Sequence, residues 1–277
     1  MQAPAMPGTV PAMPAAGSPG PLPRHWSVLR SEFCKLRSVR STYWTLATAV
    51  ASNVVLAAVL AIFLPSRLSA SSRATIDSTR VSLGGLHFSQ VSIGLVGVLV
   101  ITSEYGSGMI RATLAAVPQR RAMLAAKTAV LTAAALVTGI LACFAAYFTF
   151  QALLPAGDSM RTSLADPGVF RAVAGAGLYL TVLGLFGLGL GIVLRSSTSA
   201  IAALFGALFV PPLIATLLPQ SWQNTIGPYL PMNAGEAVFI VRPDAHTLAP
   251  WTGFAVLCLY AAAALVAGFA LINHRDA

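Results

Sequence analysis

Six long apolar stretches, each bounded by polar or charged residues, dominate the pattern of this chain. They cover residues 43–64, 84–102, 122–150, 169–194, 197–218 and 251–272. Because a helix that crosses a bilayer needs about 20 mostly apolar residues, each stretch is long enough to span a membrane. The pattern predicts an all-α polytopic membrane protein with six transmembrane helices. Only Arg195 and Ser196 separate the fourth and fifth stretches, which predicts a tight hairpin there.

The segment before the first span has a different, amphipathic pattern. Within residues 24–41, apolar residues recur at intervals of three, four and three, as on one face of a helix. They are Trp26, Leu29, Phe33 and Leu36, with Arg30 and Arg37 beside them and Lys35 opposite. This pattern predicts an elbow helix that lies on the membrane surface, with the lipid bilayer as its partner. A plain basic flank to the first span is the alternative.

Two further segments are set apart by composition. Residues 1–23 are rich in Pro, Ala, Gly and Met and have neither charge nor apolar periodicity, which predicts a disordered tail. Residues 219–250 contain five prolines and many apolar side chains. They are predicted to dip back into the outer leaflet or to fold against the spans. Residues 24–277 are predicted to form one transmembrane domain.

The loop between the second and third spans, 103–121, is more patterned than an ordinary turn. After Gly106 and Gly108, which interrupt the preceding helix, apolar residues recur at i, i+4 and i+7. These are Ile110, Leu114 and Val117, followed by Pro118, and the basic residues of the loop are Arg111, Arg120 and Arg121. The pattern predicts a short amphipathic helix at 107–117, which is suited to docking a soluble partner. A basic turn that only fixes membrane topology is the alternative.

Composition excludes a water-soluble domain. Of the 277 residues, 56% are hydrophobic and 9% are charged, whereas about 25% of the residues of a soluble domain are charged. The 17 basic residues outnumber the 8 acidic ones, and only Lys35 and Lys127 are lysines. Because the basic residues flank the spans and do not form one patch, they do not indicate a nucleic-acid partner.

The distribution of basic residues predicts the orientation, because Lys and Arg collect in cytoplasmic segments. With the N-terminus inside, the inner segments hold Arg24, Arg30, Lys35, Arg37, Arg40, Arg111, Arg120, Arg121, Lys127, Arg195 and Arg275. The outer segments hold fewer, namely Arg67, Arg73, Arg80, Arg161, Arg171 and Arg242. Both termini and the loop 103–121 are therefore predicted to be cytoplasmic.

Few ionisable residues fall near the centre of a predicted span. Glu104, Lys127, Arg171 and Arg195 lie near span ends, where long side chains can reach the headgroups. Ion-coupled carriers usually place carboxylates or histidines at membrane depth. The scarcity of such groups therefore disfavours an ion-coupled carrier and indicates that any driving energy comes from elsewhere.

Small and polar residues within the spans predict helix contacts. On the fourth span, Gly184, Gly187 and Gly191 fall at i, i+3 and i+7, which permits either close packing or a moving interface. Pro211 and Pro212 predict a break or kink in the fifth span. The polar residues Thr45, Thr48, Ser52, Asn53, Ser89, Gln90 and Ser92 can line a pathway or form interhelical hydrogen bonds.

The sequence contains no nucleotide-binding or catalytic motif. It has no Gly-x-x-x-x-Gly-Lys-Ser/Thr phosphate loop, no His-Glu-x-x-His and no Gly-x-Ser-x-Gly. Cys34, Cys143 and Cys258 have no neighbours at metal-ligand spacing. The chain is therefore predicted not to be an enzyme and to hold no cofactor or metal of its own.

Two segments resemble permeases of ABC transporters of the type 2 exporter class. Glu104, Gly108, Met109, Leu114, Pro118 and Arg120 resemble in pattern and position the cytoplasmic loop after the second span of that family. The segment Arg30–Ser38 is similar to the opening of many actinobacterial permeases of this kind. In the family, the loop carries a coupling helix that contacts the ATPase subunit, and an elbow helix leads into the first span.

The resemblance implies a permease subunit of an ATP-driven exporter in a bacterial cytoplasmic membrane. Two such subunits, identical or different, would enclose the path, and separate ATPase subunits would hold ATP and Mg. The residues expected to couple to the ATPase are Glu104, Gly108, Ile110, Arg111, Leu114, Arg120 and Arg121. A membrane sensor or immunity protein that acts without ATP is the alternative, and an ion-coupled carrier or intramembrane enzyme is a further one.

Overall fold

The computed structural model describes residues 25–38, 40–109 and 120–274, and every regular element in these ranges is a helix. The elbow helix is His25–Ser38, and the six spans are Arg40–Arg67, Leu86–Gly106, Arg120–Leu153, Val169–Leu194, Ser197–Ala215 and Pro250–His274. The predicted all-α fold with six spans is confirmed. The tail 1–23 and the coupling-helix residues Ile110, Arg111 and Leu114 lie outside the described residues.

The fourth span is the centre of the bundle. It packs against the second, third, fifth and sixth spans. Within its most apolar 18-residue window 72% of the residues are buried, against 22% in each of the first, fifth and sixth spans. The lipid-facing surface therefore belongs mainly to those three helices. The fifth span continues through Pro211 and Pro212 to Ala215, so the proline pair does not break it.

Glycines let the second and fourth spans approach until their backbones touch. A Cβ atom on Gly97 would collide with the carbonyl oxygen of Gly184, and one on Gly187 would lie 2.5 Å from the carbonyl oxygen of Gly94. A Cβ on Gly191 would lie 2.7 Å from a methyl carbon of Ile101. This contact is the most extensive between any two helices of the described chain, and it needs glycine because no side chain fits between the backbones.

The two ends of the bundle differ in their connections. We call the end that holds the elbow helix and the loop between the second and third spans the proximal end, and the opposite end the distal end. Short helices cover the distal end: Ala70–Thr75, Ser78–Ser82, Gln220–Ile226 and Pro231–Glu236, with single 3-10 turns at Gly227–Tyr229 and Ala237–Phe239. Residues 234–240 are all buried, so this segment folds against the fourth and sixth spans.

Polar contacts join the distal connections to one another. The guanidinium of Arg73 lies 3.2 Å from the carboxylate of Asp158, and that of Arg80 lies 3.2 Å from Glu236. The carboxylate of Asp77 accepts hydrogen bonds from the backbone N–H groups of Val241 and Arg242. These contacts, which we call the distal staples, link the first connection to both of the others.

Candidate functional site

The elbow helix presents one face to the spans at the proximal end. It packs mainly against the third span. Val28, Glu32 and Lys35, at i, i+4 and i+7, lie on the inward face, and the first two are 7% and 4% exposed. The apolar stripe predicted from the sequence lies beside this face, because Leu29 and Phe33 line a groove against the third span and Phe33 is 57% exposed.

Four charged side chains from three helices meet beneath the elbow helix, and we call them the ionic cluster. Glu32 and Lys35 come from the elbow helix, Glu104 from the second span and Lys127 from the third. The ammonium of Lys127 donates to Glu32 at 2.6 Å and to Glu104 at 2.9 Å. The ammonium of Lys35 donates to the same two carboxylates at 2.8 and 3.2 Å. The cluster is electrically neutral and contains both lysines of the chain.

Three members of the ionic cluster are removed from solvent. Glu32, Glu104 and Lys127 are 4%, 6% and 3% exposed. The expectation that Glu104 and Lys127 reach the headgroups is therefore wrong, because each has an oppositely charged partner inside the protein. One oxygen of Glu104, Oε1, accepts from both lysines, whereas Oε2 is buried and has no hydrogen-bond partner among the described residues. An unmade hydrogen bond of this kind costs about 1–3 kcal/mol, and more for a charged group.

The opposite charges around Glu32 and Lys35 favour the ionised form of each side chain. Burial alone would raise the pKa of Glu32, but the charge of Lys127 and hydrogen bonds from Lys127 and Lys35 outweigh it, so this pKa lies below its ordinary value. Burial alone would lower the pKa of Lys35, but the hydrogen bond to Glu32 and the charges of Glu104 and Glu32 raise it. Both side chains therefore stay ionised at neutral pH.

A cleft of about 450 Å³ opens beside the ionic cluster. The elbow helix and the first three spans enclose it, with an apolar interior that includes Leu36, Val96 and Leu99. Hydroxyl groups of Ser41, Thr45 and Ser103 also line it. A concave, mostly apolar site with a few polar groups is the usual form of a small-molecule pocket.

The second span ends at Gly106, one of the two glycines predicted to interrupt it and four residues beyond the predicted end of the span at 102. The hydroxyl of Ser107 donates back to the carbonyl oxygen of Ser103 at 2.8 Å and closes the last turn. Gly108 then takes a φ of 69°, a left-handed conformation that favours glycine. Met109, 50% exposed, lines the cleft just before the undescribed segment. The backbone direction thus changes at Gly108, four residues after Glu104.

The predicted coupling residues fall into four sets, three of which lie within the described residues. Glu104 lies in the ionic cluster, and Gly108 lies in the turn described above. Arg120 and Arg121 begin the third span, and Arg121 is exposed. Ile110, Arg111 and Leu114 lie outside the described residues, so their docking role stays a prediction.

The predicted elbow residues do not share one environment. Trp26 lies in the first turn of the elbow helix. Leu36 lines the cleft, whereas Leu29 and Phe33 line a separate groove against the third span. The stripe is therefore divided between the interior of the bundle and its lipid-facing surface.

The predicted polar pathway residues also divide. The hydroxyls of Thr45, Thr48 and Ser92 donate to carbonyl groups of their own helices. Ser89 donates across to the carbonyl oxygen of Ala49 at 2.6 Å, and Gln90 accepts from the hydroxyl of Tyr179. Interhelical hydrogen bonding thus accounts for Ser89 and Gln90.

Sequence reasoning missed the ionic cluster and the carboxylate of Glu236, which is buried at the distal end. A signal for the cluster was present, because the chain has only two lysines, and Glu32 and Lys35 are spaced i, i+3. Their partners lie 69 and 95 residues further along the chain, and no local pattern connects them.

Comparison with known proteins assigns no family to this chain. No protein-family model matches the chain, and no curated protein is significantly similar to it. The fold defines the class: a polytopic membrane protein whose six helices are long and apolar enough to cross a bilayer.

Proposed function

We propose that the chain is the membrane-spanning permease subunit of an ATP-driven ABC exporter of the type 2 class. In this proposal the proximal end is cytoplasmic, and the loop 107–119 docks on a separate ATPase subunit that supplies ATP and Mg. A second permease subunit completes the path. The resemblance of 30–38 and 103–121 to that family supports the assignment.

The observation that carries the proposal is the position of the ionic cluster. Glu104 and Lys127, which bracket the loop, are buried in contact with each other and with the elbow helix. Buried ion pairs contribute little to net stability compared with apolar packing, so their presence points to a positional role. A loop that receives force from a partner needs firm attachment at both ends, and this arrangement provides it.

Co-purification tests the proposal. The chain is expressed with each candidate ABC ATPase subunit from the same genome, and the ATPase recovered with the tagged chain is measured. Leu114→Ala should weaken recovery, because truncation of an apolar anchor in an interface costs about 2 kcal/mol, or about 30-fold in affinity. Arg111→Glu should weaken recovery as well, because it places the wrong charge at the contact.

Matched changes at the distal end serve as controls. Leu217 is 83% exposed, and Arg67 is exposed at the end of the first span, so Leu217→Ala and Arg67→Glu repeat the same chemistry far from the loop. Both should leave recovery unchanged. Normal recovery with Leu114→Ala and Arg111→Glu would leave 103–121 as a basic turn. Absence of any ATPase with the unaltered chain would favour a membrane module that acts without ATP.

A further inference from the structure

The elbow helix is attached to the second span through charge. It packs mainly against the third span, and its last residues lead into the first. Lys35 bridges directly to Glu104 at 3.2 Å. A second, indirect bridge runs from Glu32 through the ammonium of Lys127 to the same oxygen of Glu104.

Glu104 lies where movement of the loop would enter the bundle. It is two residues before the end of the second span. The backbone after it turns at Gly108. A helix behaves as a stiff rod over a few turns, so displacement of its end displaces the carboxylate of Glu104 and the groups bound to it.

We propose that the ionic cluster is the joint through which the second span moves the elbow helix. This inference rests on the proposed function, because it takes the loop 107–119 as the point where the ATPase acts. Lys35 is the positioning residue of the joint: it passes displacement of Glu104 to the elbow helix. Lys127 pairs with Glu32 and Glu104 and so attaches the third span to the elbow helix and the second span.

The arrangement around Glu104 suits a joint that turns. Both lysines bind Oε1, while Oε2 is buried and has no donor within the part of the chain that the structure describes. Rotation of the carboxylate can bring Oε2 to one of the two ammonium groups without breaking the cluster. Pairing can thus persist while the second span changes its angle to the elbow helix.

A purely stabilising cluster predicts different behaviour. It would hold the elbow helix in place regardless of nucleotide, and loss of one partly exposed ion pair would change only the stability of the fold. A joint predicts that the elbow helix stops following the second span although the protein stays folded. Lys35 distinguishes the two because its side chain is 34% exposed, so its replacement leaves the buried trio intact.

Native Cys34 provides the reporter, because it is exposed on the elbow helix. In both labelled proteins, Cys143 and Cys258 are replaced by alanine. The first carries a spin label on Cys34. The second also carries Cys34→Ala, and its label is on Ser107→Cys at the end of the second span. Label mobility is compared in the complex with the ATPase subunit, without nucleotide and after trapping with ATP and orthovanadate. In the parent chain, both labels should change on trapping.

Lys35→Met should preserve the change at Ser107→Cys and remove most of the change at Cys34. Arg30→Met, which removes an exposed cation of the same helix outside the ionic cluster, should preserve both changes. If Lys35→Met does not accumulate in the membrane, Lys35→Gln replaces it, and the same loss of the change at Cys34 is expected. Thermal unfolding of each variant confirms that the fold is retained.

The outcomes separate the joint from the proposed function. A full response at Cys34 in a folded Lys35 variant overturns the joint and leaves the permease assignment intact. No association with the ATPase and no response at either label in the parent chain overturns both.

Discussion

At the residue scale, Lys127 should contribute most to the stability of the ionic cluster, because its ammonium lies between two buried carboxylates. Lys127→Met should destabilise the protein by about 3–5 kcal/mol, since it leaves Glu32 and Glu104 close together with only Lys35 to offset them. Chemical or thermal unfolding in detergent micelles measures the loss.

Lys35→Met is the matched control for Lys127→Met. Its side chain is 34% exposed, and water screens the pairs that it forms. The change should therefore cost no more than about 1 kcal/mol. Equal losses for the two variants would show that burial does not set the strength of these ion pairs.

Gly187 offers a second test at the same scale. Gly187→Ala places a Cβ 2.5 Å from the carbonyl oxygen of Gly94, so the second and fourth spans must separate. The expected loss is about 1–3 kcal/mol, the usual cost of overpacking. Gly206→Ala, where a Cβ meets no atom within 4 Å, should be nearly neutral. If both variants unfold at the same temperature, the glycine contact does not limit stability.

The chemistry of single residues was the part least accessible from the sequence. The spacing of Gly184, Gly187 and Gly191 indicated a packing face, because that spacing is local. The environment of Lys127 was not predictable, because its partner Glu32 lies 95 residues away. The position of Lys127 near the end of an apolar stretch indicated only that its side chain could reach the headgroups.

At the scale of elements, hydropathy located the spans to within about three residues at most ends, because a membrane helix is specified by a contiguous run of apolar residues. The predicted 169–194 and the observed Val169–Leu194 coincide. The segment 231–240 was harder, because its burial depends on contacts with the fourth and sixth spans and not on its own pattern. The sequence left two alternatives for this region, a return into the outer leaflet or folding against the spans, and the structure shows the second for 231–240.

The elbow helix gives the prediction at this scale. Phe33→Asp and Leu36→Asp should reduce membrane insertion or stability, because they place a charge in the lipid-facing groove and in the apolar cleft. Ser31→Asp should have little effect, since Ser31 is exposed on the same helix away from both. Quantities of each variant in the membrane fraction and their unfolding temperatures provide the measurement. Equal effects at all three positions would mean that the apolar stripe has no membrane-facing role.

At the scale of the whole molecule, the distal staples explain why arginines occur on the side with fewer basic residues. Arg73 and Arg80 pair with Asp158 and Glu236. Arg171 donates to the carbonyl oxygens of Val238 and Ile240 at 2.7 and 3.1 Å. These side chains hold connections together, so their presence does not oppose the orientation predicted from the charge count.

Single cysteines test that orientation. In a chain whose native cysteines are replaced by alanine, Ser107→Cys marks the proximal end and Ser71→Cys the distal end, and both positions are exposed. An impermeant thiol reagent added to intact cells should label Ser71→Cys and spare Ser107→Cys until the membrane is opened. Labelling of Ser107→Cys from outside would reverse the topology.

The long sequence separations within the ionic cluster have a consequence for biosynthesis. When the elbow helix leaves the ribosome, Glu32 has no partner beyond its own helix until the third span delivers Lys127, 95 residues later. The nascent elbow helix must therefore wait with its charges hydrated at the membrane surface. The distal staples close later still, because Arg80 must wait for Glu236, which lies 156 residues after it in the chain. The two ends of the bundle are thus sealed one after the other, and a chain arrested before the third span would keep a loose elbow helix open to proteolysis.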